Sequence, residues 1–377
     1  MTLPRGALQL LILQPTPFCN IDCDYCYLPN RSSKERMTDE VLGAAIDRVL
    51  ESGVVGNELT VVWHAGEPLV LGPEWYRHAI ELIEKRMPDH VHVTHCIQTN
   101  AMLVDDAWCA FLREGKINIG VSVDGPAALH DTRRKTRSGK GTLAPALRGI
   151  ARLRENNIPF HAITVLTHAA LEFPDELHEF YEENGIGRVG FNVEEIEGGH
   201  RASSLLAYDA QRRYRAFMRR FLELVDEHHG NPVVREADMA FGMLQGPPSE
   251  FVRDQQNAPW TIVSVAVDGG FATFSPELIG VQSVDYGDFT VGNVLRDSLA
   301  AAATSERFRT LVADIDAGVE ACRSSCTYFS FCGGGAPANK YFENGSMRST
   351  ETLYCRLTKK ALVDVCREFL TSRAAVS

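Results

Sequence analysis

Three cysteines, Cys19, Cys23 and Cys26, are spaced by three residues and then two, and Tyr27 follows at once. They come directly after Leu8 to Leu13, an apolar run that reads as a buried strand. Pro15 and Pro17 end that strand, which places the cysteines on a loop. A loop can wrap three thiolates around one small centre, as iron–sulfur ligation requires. No fourth cysteine lies nearby, and a coordination position without a protein ligand is where a metal centre does chemistry. The competing reading is a zinc loop or a set of unligated thiols. Zinc sites, however, usually supply four protein ligands in paired knuckles.

A second cysteine group stands far along the chain: Cys322, Cys326 and Cys332, then Gly-Gly-Gly-Ala336, and finally Cys355. Four thiolates at these spacings suit an iron–sulfur cluster or a four-cysteine zinc site. Cys96, Cys109 and Cys366 fit neither group and read as small buried hydrophobes. Two carboxylate stretches complete the chemistry. Glu277, in Phe274-Ser-Pro-Glu-Leu278, is a candidate general base against an ordinary surface acid. Glu194, Glu195 and Glu197 either face a substrate, where they would hold a basic side chain, or form a solvated acidic run.

The elements that must position these groups alternate. Strands are expected at Leu59–Trp63, Val91–Gln98, Ile117–Val123, Phe160–Leu166 and Arg188–Val193 after the first, with helices at about 39–51, 74–86, 105–114, 143–156 and 175–183. Thr38 reads as the N-cap of the first helix. Six strands alternating with helices argue for parallel βα units, though periodicity alone does not separate a partial barrel from a doubly wound sheet. Polar and glycine-containing segments recur at the strand ends, the edge where sites are built in either case. A long helix at about 207–228 carries Tyr214, Phe217, Phe221 and Val225 on one face, a core stripe. Residues 242–260 read as a boundary. Asp268-Gly269-Gly270 between apolar runs then signals a hairpin over 262–274. The expected domains are 1–235 and 236–377.

At 377 residues, the chain has room for one large and one smaller domain. Its 45% hydrophobic and 23% charged content is that of a soluble globular protein. With 38 basic and 49 acidic residues the net charge is −11, which argues against nucleic acid and tolerates a basic peptide. No run is long enough to span a bilayer and no signal peptide precedes the first strand, so no membrane role and a cytoplasmic location are expected. In that compartment ten cysteines favour metal or redox use over disulfides.

The cysteine trio, followed one βα unit later by Gly66-Glu67-Pro68, resembles the paired motifs of radical S-adenosylmethionine (radical SAM) enzymes. In that family SAM occupies the open iron of a 4Fe–4S cluster within a partial (β/α)6 TIM-like barrel. The resemblance implies that Gly66, Glu67 and Pro68 approach SAM through their backbone, and that Gln98, Thr99, Asn100, Ser122, Asp124 and Asn192 bond its ribose and amino-acid portion. Arg134 becomes a fork for the SAM carboxylate. Tyr27 would pack near the adenine or simply beside the cluster. His64 stands where the family often has glutamine, and is either a ligand contact or a core histidine.

The later cysteines resemble the SPASM extension of peptide-modifying radical SAM enzymes. Cys322, Cys326, Cys332 and Cys355 match its second auxiliary site, and the first is lost, its last ligand position being Ala336. One auxiliary 4Fe–4S cluster with four protein ligands is therefore implied. The runs Trp63-His-Ala-Gly-Glu-Pro-Leu69, Gly190-Phe-Asn-Val-Glu-Glu195 and Cys332-Gly-Gly-Gly-Ala-Pro-Ala-Asn-Lys-Tyr341 resemble the cyclophane-forming maturases paired with glycine-rich-repeat precursors (GrrM-type). That resemblance implies a precursor peptide as substrate, an external one-electron donor and Glu277 as the base. The segment before Cys19 is too short for a separate leader-recognition domain, so leader binding would use the core or another chain. The alternatives are a thioether-forming or sulfatase-maturating relative, or a non-catalytic metal-binding peptide scaffold.

Overall fold

The computed structural model describes residues 3–246 and 253–374. The first half alternates as expected: β1 (Leu8–Leu13), α1 (Asp39–Glu51), β2 (Val55–Trp63), α2 (Pro73–Glu84), β3 (His92–Thr99), α3 (Asp106–Leu112), β4 (Ile117–Ser122), α4 (Ala127–Arg133), α5 (Leu143–Glu155), β5 (Phe160–Leu166), α6 (Pro174–Glu183) and β6 (Arg188–Val193). Local signals fix the helix starts. Thr38 Oγ1 accepts the Val41 N–H at 3.2 Å to cap α1, and Asp105 accepts that of Trp108 at 2.9 Å to cap α3. Pro73 opens α2, where its missing N–H leaves nothing unsatisfied. After α7 (Ala210–Glu227) come β7 (Val233–Val234) and α8 (Arg235–Gln245).

Strands β1 to β7 lie side by side in chain order and pair in parallel throughout. A doubly wound sheet reverses its strand order at a switch point, and this one never does. The singly wound order is that of a partial α/β barrel. The helices cover one face, where Trp63 meets Trp75 and Tyr76 edge-on at 5.6 and 5.3 Å. The α7 stripe packs as expected, with Tyr214, Phe217 and Phe221 buried and Phe217 and Phe221 against Phe191 of β6. Cys109 and Cys366 are buried hydrophobes. Cys96 differs: it alternates with the buried His95 and Ile97 on β3 and so stands half-buried on the lumen face.

The sheet is longer than the six strands read from sequence. The hairpin of β8 (Ile262–Val265) and β9 (Gly270–Thr273) adds to the outer side of β1, with β8 running parallel to it. Two further two-residue strands, β10 (Gln282–Ser283) and β11 (Gly287–Asp288), pair with each other, and β12 (Gly292–Asn293) pairs with β9. Hairpin chemistry marks a turn but does not say which edge the strands join. The remainder is helical: α9 (Leu299–Thr304), α10 (Glu306–Ser325), α11 (Phe329–Cys332), α12 (Pro337–Asn344), α13 (Leu353–Cys355), a π-helical turn Arg356–Ala361 and α14 (Leu362–Ala374). Helix α14 returns to α7 and α8, where Arg215 bonds Asp364 at 2.9 Å. The expected division after residue 235 falls just inside α8, which packs on β6 as well as on α14. Residues 247–252 of the expected boundary lie outside the described residues.

Candidate active site

The cysteine loop leaves β1 and is held from two sides. On one side the segment after α4 grips its backbone: Asp22 N–H donates to Lys135 O at 2.6 Å and Asp24 N–H to Arg133 O at 3.2 Å. Arg137 donates to Cys19 O at 3.1 Å, and Arg31, from the loop itself, to Cys23 O at 3.0 Å. On the other side Glu67 N–H donates to Phe18 O at 2.7 Å. Ala65 and Gly66 both have positive φ, 80° and 59°. A Cβ on Gly66 would run into the carbonyl oxygens of Thr16 and Phe18, so glycine is required for this approach.

Asp124 and Arg134 lie beneath the loop. Arg134 Nε and Nη2 donate to the two Asp124 oxygens at 2.9 and 3.1 Å, Tyr25 Oη donates to the same carboxylate at 2.5 Å, and Val165 N–H at 3.0 Å. Burial works against the Asp124 charge, but the Arg134 guanidinium overrides it and holds the carboxyl below its usual range. The Arg134 fork read from sequence as a grip on SAM is thus closed on Asp124. What its placement supports is an anchor for Tyr25, with a positive charge that favours the thiolate of Cys23. Glu67 is similarly engaged: it accepts from Leu69 N–H at 3.0 Å, Thr99 Oγ1 at 2.6 Å and Asn100 N–H at 2.9 Å. Its side chain ties the Gly-Glu-Pro turn to the end of β3. Pro68, expected from sequence to offer its backbone to SAM, is buried and its carbonyl accepts from Tyr76 Oη at 3.1 Å. Asn100 Nδ2 extends the tie to Asn20 in the cysteine loop at 2.7 Å.

The donor set fits a cluster. Burial pushes the Cys19 thiol up to about 12, with Glu67 adding to it, and burial pushes Cys23 up to about 11. Thiols in that state become ligands when a bound cation displaces their protons. Cys19, Cys23 and Cys26 lie close enough to act on one another electrostatically, and no fourth cysteine joins them among the described residues, the three-thiolate donor set that a cluster with an open iron takes.

Beside the loop, Tyr27 Oη and His64 Nε2 are 2.9 Å apart, and burial lowers the His64 pKa to about 4, so the ring is neutral. Gln98 Nε2 donates to Ser122 Oγ at 2.9 Å, and Asn192 Oδ1 accepts from Arg235 at 2.9 Å, on strand positions half-open to the lumen. A cavity of about 610 Å³ separates the cysteine loop from the segment after β9, lined in part by Tyr27, Ala65, Pro276 and Ile279.

Three carboxylates gather by Tyr27. Burial pushes Glu277 up to about 7 and Glu195 up to about 8, and burial together with Glu195, Glu277 and Cys26 raises Glu197. Glu195 accepts from Asn339 Nδ2 at 2.5 Å. Glu194, grouped with them in the sequence reading, is elsewhere engaged: it is buried, paired with Arg133, and accepts from Ser204 N–H at 2.8 Å. It does not face a substrate.

Behind Asn339 lies a cavity of about 160 Å³ lined by all four later cysteines, Cys322, Cys326, Cys332 and Cys355, with Lys340, Lys359 and Lys360. Sequence reading singled out these cysteines. It missed the roles of Tyr25, Arg31, Arg137 and the lysines; a basic loop after the fourth strand pointed to Arg137 and a Lys-Lys pair after Cys355 to Lys359 and Lys360, while Tyr25, Arg31 and Lys340 had no signal of their own.

The sequence profile of the Radical SAM superfamily matches residues 13–196, the stretch from the cysteine loop to the end of the sixth strand. An uncharacterized protein of Synechocystis sp. is 40% identical over 364 residues, 96% of this chain and 91% of that protein. The chain belongs to the radical SAM superfamily. A serine-type anaerobic sulfatase-maturating enzyme of Bacteroides thetaiotaomicron is 26% identical over 344 residues, 86% of this chain and 81% of the relative. Among solved structures, native anSMEcpe with bound AdoMet superposes with a TM-score of 0.76 at 19% identity, covering 97% of this chain and 99% of that one. Streptococcus suis SuiB bound to its precursor peptide SuiA gives 0.65 at 16% identity, over 93% and 76%. These likenesses extend through the C-terminal part, which is SPASM-like. This radical SAM enzyme uses SAM and 4Fe–4S clusters as cofactors. No helix among the described residues is long and apolar enough to cross a membrane.

Proposed function

We propose that this radical SAM enzyme is a peptide maturase that joins an aromatic ring carbon to the Cβ of a nearby residue, forming a cyclophane in a glycine-rich-repeat precursor. Cys19, Cys23 and Cys26 hold the SAM-binding cluster, and Cys322, Cys326, Cys332 and Cys355 hold one auxiliary cluster. When bound, these groups supply a 5′-deoxyadenosyl radical that removes a hydrogen atom, and an acceptor for one electron. The crosslink replaces a Cβ–H and an aromatic C–H with one carbon–carbon bond, so one proton must also leave. Glu277 Oε takes it. The observation that carries this reading is the placement of Glu277: a carboxyl poised near neutrality beside Tyr27 and within the field of Glu195 and Glu197. Glu195 and Glu197 orient the peptide, as a pair able to take a cationic side chain. Tyr27, held by His64, and Ala65 wall the cavity on the cluster side and keep water from the reacting carbon.

The experiment is anaerobic reconstitution with iron, sulfide, dithionite as electron donor, SAM and a glycine-rich precursor encoded beside the gene. The expected product is two hydrogens lighter, with the aromatic carbon bonded to an aliphatic one by tandem mass spectrometry. A relative named as a serine-type sulfatase-maturating enzyme matches over most of both chains, which favours one second reading, oxidation of a serine side chain to an aldehyde. That product also weighs two hydrogens less but carries no crosslink and reacts with hydrazine reagents. SAM cleavage with neither product removes both readings.

A further inference from the structure

Lys340 is a buried cation without a counter-ion among the described residues. Its side chain is 3% exposed, and its ammonium donates to Gly318 O at 2.9 Å. No carboxylate pairs with it among the described residues, so one neutral acceptor serves three donors. An ammonium held this way is destabilising unless negative charge lies nearby. The space it borders is the cavity of the four later cysteines, and Gly318 lies one helical turn before Cys322 on α10.

Lys359 repeats the pattern. It sits on the π-helical turn that follows Cys355, lines the same cavity, and has no ion-pair partner among the described residues. Its charge acts on Cys332 from one side and on Glu195 from the other. Lys360, the next residue, provides a contrast. It is paired with Glu351, which also borders the cavity, so the two nearly cancel.

We propose that Lys340 and Lys359 are the counter-charges of the auxiliary cluster and set its reduction potential. The proposal rests on the reading of that cavity as a 4Fe–4S site. An all-cysteine cluster is a net anion and becomes more negative on reduction, so a fixed cation in the cavity wall stabilises the reduced state more than the oxidised one. Cluster potential follows net charge and surroundings in this way. Two uncompensated lysines therefore make the site a better acceptor for the electron released when the crosslink closes. They act through the cluster and are positioning residues.

The test uses the full chain with Cys19, Cys23 and Cys26 all changed to alanine, so that only the auxiliary site is loaded. Iron and sulfide analysis comes first. About four irons per chain support the cluster reading, whereas zinc or no metal overturns it regardless of the lysines. The midpoint potential is then followed by electron paramagnetic resonance in a redox titration. Lys340→Met is expected to move it to more negative values, with about tenfold less reduced cluster at a fixed poise, about 59 mV for one electron. Lys359→Met moves it the same way by less, Lys340→Arg preserves it, and Lys360→Met leaves it close to the parent. Should Lys340→Met fail to retain iron, Lys359→Met decides alone. An unchanged midpoint in every lysine variant that retains the cluster overturns the proposal.

Discussion

The two cysteine regions are built in opposite ways. The N-proximal loop offers three sulfurs and is clamped through its backbone and Tyr25, by its own Arg31 and by Arg137 on its carbonyls and by the Asp124–Arg134 pair beneath Tyr25. The later site offers four sulfurs from α10, α11 and α13, with lysines rather than arginines around it. In the first region the cations bond the loop's own carbonyls or a carboxylate, and in the second Lys340 and Lys359 border the cavity with no carboxylate partner among the described residues. A centre with an open position must be held without being closed, so the clamps go to the polypeptide. A centre that only accepts an electron can be fully ligated, so the charges go to the metal.

This contrast can be broken most sharply at the cysteines. Cys23→Ala is expected to abolish 5′-deoxyadenosine release, whereas Cys332→Ala keeps SAM cleavage and loses crosslinked peptide. Chromatography of both products checks this, and equal loss of cleavage in the two variants would erase the distinction. Glu277→Gln should lower crosslinking by about 10²–10⁴-fold with SAM cleavage retained. Because burial raises Glu277 to about 7, wild-type crosslinking should rise with pH through that value, and the rise should vanish in the variant.

A smaller effect tests the clamp. Arg134→Met leaves the buried Asp124 carboxylate without its partner and should cost about 3–5 kcal/mol in denaturant unfolding of the metal-free protein, against a slight change for Lys360→Met. The smallest effect is a slope. Folding raises the Glu195 and Glu277 pKa values, so the folded state binds more protons than the unfolded one between about pH 4.5 and 8. Their contribution therefore falls as pH rises through that window. The metal-free melting temperature should decline with it, and less steeply in a Glu195→Gln/Glu277→Gln double variant.

The superfamily was legible because covalent chemistry fixes the type and spacing of its cysteines, and a cysteine trio before Gly66-Glu67-Pro68 has few other uses. The alternation of strands and helices was legible from hydrophobic period. What separates a partial barrel from a doubly wound sheet is strand order, a long-range property that the period of 59–63 or 188–193 does not carry. The same limit hid β8 beside β1. Roles of polar residues were the least legible. Glu194 and Glu195 are neighbours of one type, yet Glu194 is held by Arg133 and Ser204 while Glu195 faces Asn339 and the other acids. Arg134 matched the chemistry of a carboxylate fork, and the carboxylate it found was Asp124. Partners ten or more residues away decide such cases, and nothing local announces them.

The seat of β8 bears on how the chain is made. The cysteine loop hangs from β1, and β1 is covered on its outer side by Ile262–Val265, which are synthesised about 250 residues later. Until those residues emerge, the strand presents a bare hydrogen-bonding edge beside reactive thiols, the combination most prone to pairing with a neighbouring nascent chain. Metal loading before that edge is sealed would trap a half-built barrel, so cluster insertion is best timed to follow completion of the C-terminal half.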